Sequence, residues 1–169
     1  MLKKLLSPAQ CAECRLCCGF VDSDKWEIPL FAGEEERACA ERLAPTKDIP
    51  GTKSAVYRME FHGNDVIMCP AASEHGCLLG EERPFDCRIW PFRVMELNGS
   101  RVITLSPVCP ASLKMTVGDV AEFVNSGFAE KLFAHAREYP ETVKPYVDGY
   151  PIFAYEKVEL SDCREALRF

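Results

Sequence analysis

Ten cysteines occur in 169 residues, and four of them fall in one run, Cys11-Ala12-Glu13-Cys14-Arg15-Leu16-Cys17-Cys18. Four more follow at Cys69, Cys77, Cys87 and Cys109. A thiolate is a soft ligand, suited to zinc, iron–sulfur clusters and Cu(I). The two-residue gaps in Cys11–Cys14–Cys17 let a short loop turn its sulfurs toward one centre. Such spacing points to metal binding rather than to unliganded core cysteines.

Disulfides are the competing chemistry. A chain of this length buries enough core to do without staples. Adjacent Cys17 and Cys18 have Cα atoms only about 3.8 Å apart, below the usual disulfide range. The opening Met1-Leu2-Lys3-Lys4-Leu5-Leu6 has the look of an export signal, but its apolar part stops at Ser7-Pro8 with no small-residue cleavage site after it. The expectation is therefore a cytoplasmic location, where thiols stay reduced.

Geometry limits what the first four cysteines do alone. On a straight helix they would share one face, spread about 10 Å along the axis. A tetrahedral zinc needs its sulfurs only about 3.8 Å apart. Either the stretch wraps as a loop round one centre, or its cysteines divide between centres completed from Cys69, Cys77, Cys87 and Cys109. The C-x2-C-x2-C run matches the start of the bacterial ferredoxin motif, and Cys69-Pro70 and Cys109-Pro110 add two cysteine–proline pairs. The fourth ferredoxin cysteine should come three residues later, whereas Cys18 is immediate; the radical-SAM spacing C-x3-C-x2-C is absent. Eight cysteines also suffice for two closed four-thiolate zinc sites of structural role. The balance tips to an iron–sulfur cluster such as 4Fe-4S over zinc, with Cu(I) third.

Other chemistry finds little support. His75 lies between Cys69 and Cys77 and is a spare ligand or a turn residue; His62 sits at a turn; His135 lies beside an apolar helix stripe and reads as exposed. No Ser-His-Asp or Cys-His arrangement and no phosphate loop is present. A net charge of −6 argues against nucleic acid and anionic membrane as partners. No apolar run is long enough to span a bilayer. The partner left open is another protein or a small molecule.

The elements that must position the cysteines read as follows. Residues 1–169 form one domain. Residues 1–10 are a lead-in or a short helix. Acids dominate 22–41, Trp26–Leu30 is a short extended piece, and a helix runs from Gly33 to about Leu43 with Glu34, Glu35 and Glu36 in its first turn. Cys39 falls inside that helix with no partner at ligand spacing. Pro45–Gly51 is a loop. Ala55–Phe61 and Asp65–Met68 are strands joined through His62-Gly63-Asn64. Residues 71–91 are irregular. Arg93–Leu97 and Arg101–Leu105 flank Asn98-Gly99, a strong hairpin signal. Val117, Val120, Ala121 and Val124 share a helix face, with Thr116 and Asp119 as capping pair. Ala129, Leu132, Phe133 and Ala136 repeat the pattern, with Ser126 as cap and Pro140 as stop. Tyr150–Leu160 is a last strand. The fold class is α+β: a small antiparallel sheet with a helical cover and a loop-built multi-cysteine metal site.

Taken together, Cys11-x2-Cys14-x2-Cys17-Cys18, Cys69-Pro70 and Gly76-Cys77-Leu78-Leu79-Gly80-Glu81-Glu82-Arg83-Pro84-Phe85-Asp86-Cys87-Arg88-Ile89-Trp90-Pro91 resemble the CxxCxxCC (YkgJ-type) family of zinc- or iron-chelating domains. The resemblance covers residues 11 to about 110. It implies ligands at Cys11, Cys14, Cys17, Cys18, Cys69, Cys77 and Cys87, with Cys109 matching a later one, and matches Arg83-Pro84 and Arg88 to the family's RP and CR elements. Trp90 stands where the family more often has Phe or Tyr. The domain also occurs in a much longer flagellin lysine methylase. Arg83 and Arg88 are candidates to hydrogen-bond or neutralise thiolates around the metal. For Arg88 the alternative is a loop-anchoring ion pair with Asp86 or a nearby glutamate, and, behind both, a hold on a ligand's carboxylate.

Three functions follow as expectations. The first is a metal or cluster protein with a structural, redox or sensing role. The second is a cluster-dependent protein lysine methylase or oxidoreductase. The third is a zinc or copper carrier. Cys39 and Cys163 are expected to play no part in the metal site.

Overall fold

The structure, a computed structural model, describes residues 8–157. Cys163 and the end of the expected last strand lie outside them.

The first half of the chain is built from short pieces. These are α1 (Pro8–Cys14), β1 (Gly19–Phe20), α2 (Gly33–Glu41), β2 (Thr46–Asp48), β3 (Ala55–Tyr57), β4 (Ile67–Met68), β5 (Ala72–Ser73), β6 (Gly76–Cys77) and α3 (Phe85–Ile89). Three two-stranded antiparallel ladders join them: β1 with β4, β2 with β3, and β5 with β6. The expected hairpin through His62-Gly63-Asn64 does not form. Tyr57 pairs back with Thr46, and Ile67 pairs with Phe20. The reason is nonlocal: the polar stretch Thr46-Lys47-Asp48 serves as a strand because the turn at 49–54 brings it back onto β3, closed by Ile49 N–H donating to Ser54 O at 2.9 Å. Trp26 lies in a 3-10 turn, Asp22–Glu27, not in an extended piece.

The second half is regular. It holds β7 (Phe92–Leu97), β8 (Ser100–Leu105), α4 (Val117–Phe123), α5 (Ala129–Glu138), β9 (Lys144–Pro145) and β10 (Ile152–Tyr155). The sheet order is β10-β8-β7-β9, antiparallel except for the parallel pair β7–β9. Asn98 (φ 52°) and Gly99 (φ 78°) make the two-residue turn between β7 and β8, as an Asn-Gly pair should. Thr116 caps α4, its hydroxyl oxygen accepting the Asp119 N–H at 3.1 Å. Ser126 is not a cap. A kinked turn, Val124–Phe128, links α4 to α5, with Gly127 at φ 90°, and the Ser126 hydroxyl donates back to Phe123 O at 2.7 Å.

Alternation along β7 separates two environments. Phe92 and Val94 join Ile103 and Leu105 against Val120, Val124, Phe128, Leu132 and Phe133. Met95 faces the other side with Val102 and Tyr150. A smaller cluster, Phe31, Ala40, Tyr57, Ala71 and Leu79, lies in the first half, and Cys39, Cys69 and Cys77 pack at its edge. The architecture is α+β. Among the described residues no helix is long and apolar enough to cross a membrane.

Candidate metal centre

The cysteine run is neither one helix nor one loop. Helix α1 carries Cys11 and Cys14 and then stops, because Arg15 adopts the left-handed conformation (φ 49°, ψ 12°). A 3-10 turn, Leu16–Cys18, follows. The chain then enters β1, and Cys69, just past β4, donates its N–H to Cys18 O at 2.7 Å. The sharp turn removes the obstacle that a straight helix poses, and it ties Cys18 to Cys69.

Cys69 opens a turn in which the Ala72 N–H donates to Cys69 O at 2.8 Å, and Cys77 follows in β6. The backbone N–H groups of Ala71 and Ala72 beside Cys69, and of Leu79 and Gly80 beside Cys77, oppose the burial that raises these two thiols. The β5–β6 hairpin also lies close against α1: a Cβ added to Gly76 (φ 110°) would stand 3.3 Å from the Ala12 Cβ.

Cys87 is carried by α3, which is fixed from two sides. On one side Glu36 accepts the Phe85 N–H at 2.8 Å and pairs with Arg88 at 2.9 Å. On the other, buried Asp86 accepts the Leu30 N–H at 3.0 Å and lies 3.9 Å from Arg93 and 4.0 Å from Lys144. Arg93 in turn pairs with Glu27 at 3.0 Å. Cys109 lies after β8 and is 8% exposed, with its carbonyl accepting the Ser112 N–H and hydroxyl.

Burial raises most of these thiols, and the charge of other cysteines adds to it. Burial first, and then Cys109, Cys14 and Cys18, push the Cys11 thiol up. Cys17 is raised by its hydrogen bond to Cys18, by burial, and by Cys18, Cys87 and Cys11. Burial lifts Cys69 to about 11, with Cys18 and Cys77 adding to it. Burial lifts Cys77, and Cys18 adds. Burial raises Cys87 well above its ordinary value, helped by Asp86, Cys69 and Cys77. Cys18 alone is lowered, by the Cys17 hydrogen bond and then by Arg83 and Arg15. Cys11, Cys14, Cys17 and Cys109 line a common cleft, Cys18 and Cys69 share a backbone hydrogen bond, and Cys69 and Cys77 pack against one small cluster. Among the described residues, however, no three His, Cys, Asp or Glu side chains converge as they stand on a point that could hold one metal ion.

Arg83 is held by its own Nε–H bond to Gly80 O at 2.9 Å, and its charge reaches Cys11, Cys18 and Cys77. Arg88 is engaged by Glu36, the ion-pair alternative. His75 is an exposed turn residue of the β5–β6 hairpin. His62 is exposed too. His135 is not: it is half-buried and stacks on Phe85 with ring centroids 3.8 Å apart. Cys39 packs beside the small cluster and interacts with Arg42.

Two features escape the sequence. A cleft of about 330 Å³ opens over Cys11, Cys14, Cys17 and Cys109, walled in part by Trp90 and Lys114. On the inner side, Tyr57 is 2% exposed, its hydroxyl has no hydrogen-bond partner among the described residues, and its pKa is raised by burial and by Cys69, Cys77 and Cys87. Nothing in the local sequence marks Tyr57, which reaches the cysteines only through the β2–β3 pairing.

No family model, curated protein or solved structure matches the chain. The resemblance to the CxxCxxCC domains thus rests on the cysteine, Arg83-Pro84 and Arg88 motifs alone.

Proposed function

We propose that this chain is a metal-binding protein of the CxxCxxCC kind, in which Cys11, Cys14, Cys17, Cys18, Cys69, Cys77, Cys87 and Cys109 hold an iron–sulfur cluster or zinc in a structural, redox or sensing role. One observation carries the proposal. Cysteines far apart in the chain lie close in the fold: Cys11, Cys14, Cys17 and Cys109 line one cleft, the Cys69 N–H donates to Cys18 O, and Cys69 and Cys77 pack against one small cluster. The donor set fits a soft metal: cysteine sulfurs only, with the Arg83 charge felt at Cys11, Cys18 and Cys77. The buried Tyr57 hydroxyl, which has no partner among the described residues, is available as one further donor.

The test is anaerobic purification followed by elemental analysis and a visible spectrum. Iron with equivalent sulfide and a charge-transfer band identifies a cluster; stoichiometric zinc without colour identifies zinc. Absence of both sinks the proposal.

The cleft favours a second reading, an enzyme such as a cluster-dependent protein lysine methylase or oxidoreductase. Its floor is made of cysteines and its wall carries Lys114, placed to meet a ligand's carboxylate. Binding of a carboxylate-bearing methyl donor that is lost in Lys114→Ala, at unchanged metal content, would support this reading. No binding retires it.

A further inference from the structure

A second cavity, of about 720 Å³, shares no lining residue with the cysteine cleft. Its size is that of a small-molecule site. Its walls come from the β2–β3 ladder, the 3-10 turn Asp22–Glu27 with the chain just after it, and β9. The ladder contributes through its alternation. Lys47 stands opposite Val56, so Lys47, Ile49, Val56 and Arg58 share the face that lines the cavity, while Ala55, on the other face, is buried. Trp26, edge-on to Tyr150 at 6.1 Å, and Phe61 add flat apolar wall.

The chain carries a net charge of −6, yet this cavity gathers four cations, Lys25, Lys47, Arg58 and Lys144, against one acid, Glu141. Glu141 accepts the Ser54 hydroxyl, and Lys25 pairs with Asp22 and lies 5.2 Å from the Phe61 ring centroid. Lys47 and Arg58 are exposed, and their side chains have no partner among the described residues. Exposed cations alone are solvated surface and decide nothing. Lys144 is different. Its side chain is 9% exposed, and the acid it reaches, Asp86, is 4.0 Å away. Asp86 Oδ2 already accepts the Leu30 N–H at 3.0 Å and lies 3.9 Å from Arg93. The Lys144 ammonium therefore has three N–H donors and no hydrogen bond among the described residues. A buried ammonium without acceptors is costly, and an oxyanion in the cavity supplies them.

We propose that this cavity binds a small organic anion, a carboxylate or phosphate carried on a flat apolar body. Lys144 holds the oxyanion, Lys47 and Arg58 draw it in from solvent, and the body lies against Trp26, Phe61 and Val56. The site includes none of the cysteines, and its test does not depend on what metal they hold.

The test is a fluorescence titration of the full-length chain, purified without oxygen, with anilinonaphthalene sulfonate, a flat apolar anion. N-phenylnaphthylamine, the same body without the charge, is titrated beside it. The expected result is saturation at one anionic dye per chain, with the neutral dye bound roughly tenfold more weakly. Lys144→Met weakens the anionic dye by roughly tenfold and leaves the neutral dye as it was. Val56→Trp fills the cavity without altering charge and abolishes binding of both. Lys131→Met, at an exposed position of α5, changes neither. Equal affinity for the two dyes, no saturable binding, or full affinity in either Lys144→Met or Val56→Trp chains still folded by circular dichroism overturns the proposal. The comparison of the two dyes needs no variant, so it decides even where Lys144→Met fails to fold. Displacement of the dye by phenyl phosphate identifies a phosphate ligand, and displacement by benzoate a carboxylate; displacement by neither overturns the proposal as well.

Discussion

Residues 92–157 and residues 8–91 are stabilised by different means. The later part has a six-residue hairpin, two helices and a core of Phe92, Val94, Ile103, Leu132 and Phe133, of which Phe92, Ile103 and Leu132 are fully buried. The earlier part has ladders of two or three residues each. Its own apolar cluster is small, and its edge is made of Cys39, Cys69 and Cys77. Burial alone accounts for the first arrangement. Two-stranded ladders of that length are not stable by themselves. A region short of apolar surface, and rich in clustered thiols, needs another source of cohesion. On the proposed reading, metal ligation supplies it.

Breaking the metal should therefore unfold one region and not the other. Structural zinc contributes on the order of 10 kcal/mol to folding. Exchange of amide hydrogens after anaerobic chelation should show protection lost across 16–20 and 67–80 and kept in β7, β8 and α5. Uniform loss, or none, would contradict the contrast. The reverse perturbation is Leu132→Ala, at 0% exposure. It should cost about 3–5 kcal/mol by chemical denaturation, while the folded fraction keeps its metal content.

Acid should act on the cysteine region first. Burial raises Cys11, Cys69, Cys77 and Cys87, so these thiols carry protons at neutral pH and ligation releases them. Apparent affinity should fall as pH falls, by about tenfold per pH unit for each proton released. Calorimetry in buffers of different ionisation heat counts those protons. The metal-free chain should show the opposite trend. A raised folded pKa means stability that is intact below the unfolded value and lost as pH rises; for Cys69 the window runs from 9.0 to about 11.

The smallest effect sharpens the contrast at one atom. Tyr57→Phe removes the buried hydroxyl and keeps the ring, which packs on Phe31 at 4.8 Å. Metal stoichiometry should be unchanged. Affinity for zinc should fall by roughly tenfold, or a cluster's reduction potential should shift. Identical affinity and potential would show that Tyr57 does not donate to a cysteine sulfur.

The same contrast governs how much the sequence reveals. Asn98-Gly99 and Thr116-x2-Asp119 specify their turn and cap through local chemistry, and both form. Helix patterns at Val117–Val124 and Ala129–Ala136 are long enough to read. The kink at Ser126-Gly127 is not, because Ser126 is equally a capping residue by type. In the cysteine region the decisive events are nonlocal. Phe20 pairs with Ile67, and the polar strand Thr46–Asp48 takes β3 from its expected partner. Arg15 gives no sign in the sequence that it will stop α1, since a left-handed turn usually falls to Gly or Asn. The candidate ligands are nonetheless legible by type and spacing. That Cys11, Cys14, Cys17 and Cys109 line one cleft is legible only in the fold.

The most direct measurement is X-ray absorption at the metal edge of the protein as purified without oxygen. The account predicts a first shell of sulfur only, at about 2.3 Å if the metal is zinc. A shell containing nitrogen or oxygen from protein side chains, or a chain free of metal, would contradict it.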